Sequence, residues 1–355
     1  MKASGAWNRV ARIEIDFPAK VSVGKGVVSA LGLELSAMGV REALLVVSDA
    51  AWKSALDEVC ESLSAARVKW GVLLVHPEAY RVGAVELAVG LSRRARAVVA
   101  LGCWPALALS KVLSARCGTE LVAVPAPPGF AEAFSGMTVQ PRGYVGPSKP
   151  LKPPAAIFVD TGLPLGRDLE KALAAEALVS TLEALAVGWR NRFILLLAEA
   201  AVERLERSLR GSSVADAQAL FEAAVYAALA RGHSLCSALS SLARALFSVF
   251  GVDPYAAELA LARAWVTAAS RAVEGSPAAD AYRRAALLLE EFTDGFSSVP
   301  TLPELGVGES KLDLAAEYAW TFEHHCAERD PSVSSRFSLR QLLAEACHRK
   351  AQQSS

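Results

Sequence analysis

Over the first 160 residues, short β-branched apolar runs alternate with amphipathic stretches. EALLVVSD (42–49), KWGVLLVH (69–76), ARAVVALG (95–102), ELVAVPA (120–126) and AAIFVD (155–160) predict buried strands. Helical spacing of apolar residues lies between them, as in 52–65 and 84–94. Strands separated by helices at these distances predict βαβ units and a parallel sheet covered on both faces. From about Gly166 onward the strand signals stop and an Ala/Leu-rich helical period takes over. It is broken at Gly211, Gly232, Gly251-Val-Asp-Pro and Ser297-Ser-Val-Pro. The expected organisation is an α/β, Rossmann-like domain over 1–162 and an all-α domain over 163–355, with a cleft between them. The proline-rich stretch 140–154 predicts a loop or extended excursion before the last strand.

Composition narrows the class. A chain of 355 residues with 53% hydrophobic content is long enough for a large core, and 37 basic residues balance 37 acidic ones. No overall field recruits nucleic acid or an anionic membrane. The N-terminus carries charges in every apolar stretch, and the longest apolar run, 97–109, is too short to span a bilayer. Six scattered cysteines without a C-x-x-C pair read as the reduced thiols of a cytoplasmic protein.

Candidate chemistry sits at a few segments. ALGCWPALALSK (100–111) follows a predicted strand and opens a helix; on its own, Gly102 is a turn glycine and Pro105 a first-turn proline. Asp49 ends another strand and, on its own, has the form of a helix N-cap. An isolated Glu176 in an Ala/Leu helix is most simply a solvated or paired acid. His233 is the only histidine between 77 and 323. Asp253, before Pro254, has the form of an N-cap with a proline at the first helical position. His324 and His325 are adjacent, so their side chains diverge by about 100° on a helix, and they read as surface residues.

The order of these segments resembles the superfamily that joins 3-dehydroquinate synthase to the glycerol and iron-type alcohol dehydrogenases, over roughly residues 15–310. FPAKVSVGKGVVSALG (17–32) is similar to its opening hairpin and first helix, and VPTLPELGV (299–307) to a loop before its last helices. The resemblance places 100–111 at the Gly-Gly-Gly-Ser-x-x-Asp-x-x-Lys turn, where backbone amides approach a pyrophosphate. Asp49, Gly102, Lys111 and Pro125 are thereby implied to line a site for NAD or NADP. Ser135 and Thr138, within a segment similar to the family's substrate loop, and Ser237, where a second histidine is usual, are implied to face substrate. Glu176, His233 and Asp253 are implied as ligands of a divalent metal such as Zn, Fe or Mn.

The implied chemistry is oxidation of a secondary hydroxyl on a small polyol or sugar-derived substrate. The metal polarises the alcohol oxygen and the nicotinamide accepts hydride. In the dehydroquinate synthase branch that oxidation is transient and precedes phosphate elimination and ring closure. Asp160-Thr161, Glu176 and Gly232-His233-Ser234 lean toward that branch, Lys111 toward the dehydrogenases. Association into a homo-oligomer is a further expectation.

The sequence departs from the pattern at reactive places. Cys103, Trp104 and Pro105 stand in the glycine turn, Ala108 replaces its acid, Met137 replaces a substrate-binding lysine, and Ser180 stands where iron-type dehydrogenases place a histidine. A paralogue that keeps the fold as a binding or assembly partner is therefore the competing expectation. A third is a different ligand in the same cleft, with Trp104 stacking on a flat ring.

Overall fold

The computed structural model describes residues 20–48, 53–146, 150–162, 166–210, 214–234, 236–294 and 299–348. Asp49 lies outside the described residues.

Six strands, β1 (Lys20–Gly24), β2 (Glu42–Val47), β3 (Lys69–Leu74), β4 (Ala97–Gly102), β5 (Glu120–Pro125) and β6 (Ala156–Asp160), form one parallel sheet in the order β1-β6-β5-β4-β2-β3. The first half also carries helices α1 (Leu31–Ala37), α2 (Lys53–Ala65), α3 (Val82–Ser92), α4 (Trp104–Cys117) and the single turn α5 (Phe130–Phe134). All five predicted strands are present. Of the segment similar to an opening hairpin and first helix, the described residues begin at Lys20 and form β1, which pairs with β6; Asp160 accepts from the amides of Gly26 and Val28 and fixes the chain where it leaves β1. KWGVLLVH was expected to be buried on both faces, but β3 is the sheet edge. It has one neighbour, and its Trp70, Val72 and Leu74 are exposed.

Side chains alternate between two cores because successive strand residues point to opposite faces. Leu45, Val47, Val99 and Leu101 pack with Leu31 and Leu35 of α1 and Val59 and Leu63 of α2. Leu44, Val46, Val98 and Ala100 pack on the other face with Val85 of α3 and Leu107 of α4. That second core continues without a break into the helical half.

The helical half comprises α6 (Arg167–Val187), α7 (Arg192–Arg210), α8 (Val214–His233), α9 (Ala238–Phe250), α10 (Pro254–Val273), α11 (Ala279–Asp294), α12 (Leu312–Phe322), the short α13 (His324–Ala327) and α14 (Arg336–His348). Leu173, Leu178, Leu182 and Leu185, spread around α6, are all buried, as expected of a central helix packed on several sides. No helix among the described residues is long and apolar enough to cross a membrane.

Candidate functional site

β2 and β4 are neighbours whose following helices leave toward opposite faces, so their carboxyl ends form the switch point where such sheets usually bind ligands. Gly102 stands there with φ +119°, and a Cβ would come within 2.4 Å of Ser48 Oγ. Only glycine fits. The amides beyond it are not directed at an open site. Cys103 N donates to Ser48 Oγ at 2.8 Å, Trp104 N to the Pro128 carbonyl at 2.8 Å, Pro105 has no N–H, and Ala106 N bonds to Cys103 O. A pyrophosphate at a helix N-terminus needs those donors.

The side chain of Trp104 fills the same place. It is buried, edge-on to Phe247 of α9 with ring centroids 5.1 Å apart and to Tyr80 at 6.0 Å. Its indole Nε1 donates to Asp253 Oδ2 at 2.7 Å, joining α4 to the start of α10. An indole enclosed in this way is not offered to a ligand ring. Asp253 Oδ1 meanwhile accepts from the amides of Tyr255 and Ala256, so the acid caps α10 as its Asp-Pro sequence suggested.

Lys111 points away from the switch point. Its buried ammonium donates to the carbonyls of Glu132, Ser135 and Met137 and pairs with the Glu132 carboxylate at 3.2 Å. Burial pulls its pKa down, and Glu132 opposes that pull. Thr138 Oγ1 donates to the same carboxylate, and Ser135 Oγ accepts from Met137 N at 2.9 Å. Ser135 and Thr138 do line a cavity, of about 70 Å³, together with Arg231, Arg244, Tyr255 and Glu258. Pro125 ends β5 opposite Gly102. Of the three described residues assigned to nucleotide, Gly102 and Pro125 lie side by side on β4 and β5, whereas Lys111 braces the loop after α5.

The three assigned metal ligands are also separated in role. Glu176, in the middle of α6, accepts from the amides of Gly129 at 3.0 Å and Ala131 at 2.8 Å, closing the otherwise open start of α5. Burial pushes its carboxyl up to about 7, against the downward pull of those amides. His233 ends α8, its ring edge-on to Phe193 with the centroids 6.3 Å apart. Gly232 beside it lets α8 approach α5, since a Cβ there would meet Phe134 O at 2.5 Å. Ser237 is the N-cap of α9, completes a capping box with Ser240, donates to Glu183 and is fully buried.

Sequence reasoning missed the charged group at the centre. Arg231, two residues before the end of α8, places its guanidinium between α6 and α10. Nε pairs with Glu183 Oε2 at 2.7 Å, Nη1 with Glu258 Oε2 at 2.9 Å, Nη2 with Glu258 Oε1, and Nη1 lies 3.4 Å from Ser180 Oγ. Burial disfavours its charge, but Glu183 and Glu258 outweigh burial and hold it protonated. A cation is thus built into the chain, flanked by Ser180 and α6 on the side where a metal was expected. The available signal was the unusual density of acids on helices that bury nearly every face, Glu176 and Glu183 one after the other on α6. On the far side of Tyr255 and Glu258 a second cavity, of about 250 Å³, is lined by Ala172, Val179 and Leu259 with Glu176 and Asp253.

Two further expectations are corrected. Cys236 and Cys326 are joined as a disulfide, while Cys60, Cys103, Cys117 and Cys347 are free thiols. His325 is not a surface residue, since it is half-buried with its Nε2 enclosed. Among the described residues, Cys236, His325 and Cys326 are the one group of three such donors close enough to share an ion; Glu176, His233 and Asp253 are not such a group.

The profile of the iron-containing alcohol dehydrogenases matches residues 22–164. An iron-containing alcohol dehydrogenase from Thermotoga maritima superposes with TM-score 0.76 at 17% identity, covering 95% of this chain and 99% of that one. An alcohol dehydrogenase from an archaeal halo-thermophile of a Red Sea brine pool gives 0.80 at 16%, covering 94% and 99%. The two-domain fold is that of the iron-containing alcohol dehydrogenases. Maleylacetate reductase from Agrobacterium tumefaciens shares it too, with TM-score 0.70 at 20% identity and coverage of 94% and 97%. No curated protein sequence matches the chain.

Proposed function

We propose that this chain keeps the framework of an alcohol- or polyol-dehydrogenase-like oxidoreductase but serves as a binding protein for a small polyol, without the metal and dinucleotide chemistry of that fold. The observation that carries this is the Arg231 cluster. A largely buried guanidinium already neutralised by Glu183 and Glu258 stands beside Ser180, and Glu176 is occupied by two backbone amides. A divalent ion there would add positive charge next to a fixed cation and compete with those amides for the carboxylate. The residues do not fit the metal. Nor do they fit the pyrophosphate, since the first amides of α4 are internally bonded and Trp104 fills the turn.

What remains is the cavity of about 250 Å³ with apolar walls and the carboxylates of Glu176, Asp253 and Glu258 at its border. Carboxylate oxygens are acceptors only, and each holds more than one lone pair, so they suit the hydroxyls of a small polyol. The decisive experiment combines metal analysis of chelator-free protein with thermal shifts in NAD, NADP, their reduced forms, glycerol and 1,2-propanediol. The expected result is no metal that depends on Glu176, no shift with any nucleotide, and stabilisation by a polyol. A stoichiometric metal lost in Glu176→Gln would overturn the proposal, as would NADH formation from a polyol and NAD.

The second reading is an active enzyme oxidising a secondary hydroxyl. The profile match over residues 22–164 favours it. The same NADH assay decides between the two.

A further inference from the structure

We propose that Cys236, Cys326 and His325 form a thiol-gated site for a thiophilic divalent cation, zinc foremost, separate from the place where the fold's relatives would put a metal. Cys236 lies between α8 and α9, and Cys326 and His325 lie on α13, 90 residues further on. The ligand atoms of the three lie within 4.8 Å of one another. Cys326 is fully buried, and among the described residues the enclosed Nε2 of His325 has no hydrogen-bond partner. A buried imidazole nitrogen beside two sulfurs is a poor structural filler and a good metal donor.

The surroundings support thiolates. Arg244 Nη2 lies 3.1 Å from Cys326 Sγ, and the same guanidinium is held by Glu323 at 2.8 Å. A cation at that distance favours the deprotonated sulfur. Glu323 is thereby engaged, so two sulfurs and one imidazole fill three positions of a tetrahedral ion. The fourth is left to a water or small ligand, which reaches the site from the cavity that Cys236 lines.

In the disulfide form the sulfur electrons are shared between the two cysteines and no cation binds. A dithiol reductant supplies two electrons and two protons, the S–S bond breaks, and the reductant leaves as its own disulfide. The cation then displaces the two thiol protons to solvent, and the sulfurs part to about 3.8 Å, as two ligands of one tetrahedral zinc do. Residues selected by softness in this way discriminate against Mg²⁺ and Ca²⁺.

The test uses the full chain, reduced with dithiothreitol, freed of reductant without oxygen and titrated with CoCl2. The expected result is one equivalent of cobalt bound with a sulfur-to-cobalt charge-transfer band and tetrahedral d–d bands, both lost on adding ZnCl2. All six thiols should react in the reduced, unfolded chain and four in the oxidised one, which should give no charge-transfer band. Removing an outer-shell partner of a metal already costs about 10–100-fold in affinity, so Cys236→Ser and His325→Ala should each weaken binding by at least that much. Cys60→Ser and Cys117→Ser are the controls that should leave it unchanged. His325→Ala keeps both sulfurs and tests the site even where Cys236→Ser disturbs folding. The proposal is overturned by a reduced chain that gives no sulfur charge-transfer band, or by a band that is identical in His325→Ala. A cobalt spectrum without sulfur character that vanishes in Glu176→Gln would overturn both this site and the metal-free reading of the α6 position.

Discussion

The start of α4 and the space between α6, α8 and α10 are the two places where the resemblance implies a dinucleotide and a metal, and they are packed in different ways. The first holds an apolar plug, the Tyr80–Trp104–Phe247 cluster, with polar contacts from Trp104 Nε1 to Asp253 and from the Tyr80 hydroxyl to the Val139 carbonyl. The second is closed by charge, with Arg231 set between Glu183 and Glu258. The difference matters for tolerance. An apolar plug loses contacts in proportion to the volume removed, whereas a buried ion cluster that loses one member leaves uncompensated charge.

The largest effect should come from the charged side. Arg231→Met leaves Glu183 and Glu258 buried without their cation and should cost about 3–5 kcal/mol in urea unfolding. A loss below about 1 kcal/mol would erase the contrast between the two regions.

Glu176 sharpens the same side through pH. Its carboxyl is raised from the ordinary 4.5 to about 7, so between those values the folded chain holds a proton that the unfolded chain has released. Its contribution is complete below the lower value and is lost as pH rises through the upper one. Stability should fall by up to about 3 kcal/mol across that window, and the fall should be smaller in Glu176→Gln, which cannot titrate. Parallel pH profiles for the two proteins would remove the burial argument for this residue.

On the apolar side, Trp104→Phe keeps most of the plug but deletes the donor to Asp253. The expected loss is about 2 kcal/mol, read from the unfolding midpoint. If nucleotides then stabilise the variant, the plug alone was excluding them. The smallest effect belongs to Ser237→Ala, which removes one cap from α9 and one donor to Glu183 Oε1, while Ser240 Oγ and Ser237 N still donate to that oxygen at 2.6 and 3.0 Å and Asp330 continues to accept from Ala238 N at 2.8 Å; about 1 kcal/mol is expected.

Much of the molecule was legible along the chain. The β-branched runs located five strands to within two residues at either end, and the loss of strand signal near Gly166 marked the change to helices. Asp253-Pro254 announced an N-cap, and the structure has one. The edge position of β3 was not legible, because an apolar run does not say how many neighbours it will have. The disulfide was hidden for a different reason, since its cysteines are 90 residues apart in a chain large enough to need no staple.

The sequence by itself determined the periodicities, and with them the sheet, the helices and which faces turn inward, because those depend on residues a few positions apart. It also contained every departure from the glycine turn and the histidine positions. Only the tertiary structure decided what the replacement residues do. Trp104 meets Asp253 across 149 positions, Glu176 reaches Ala131 across 45, and Arg231 meets Glu258 across 27. A buried polar group must find a partner, and the identity of that partner is set by packing between distant segments.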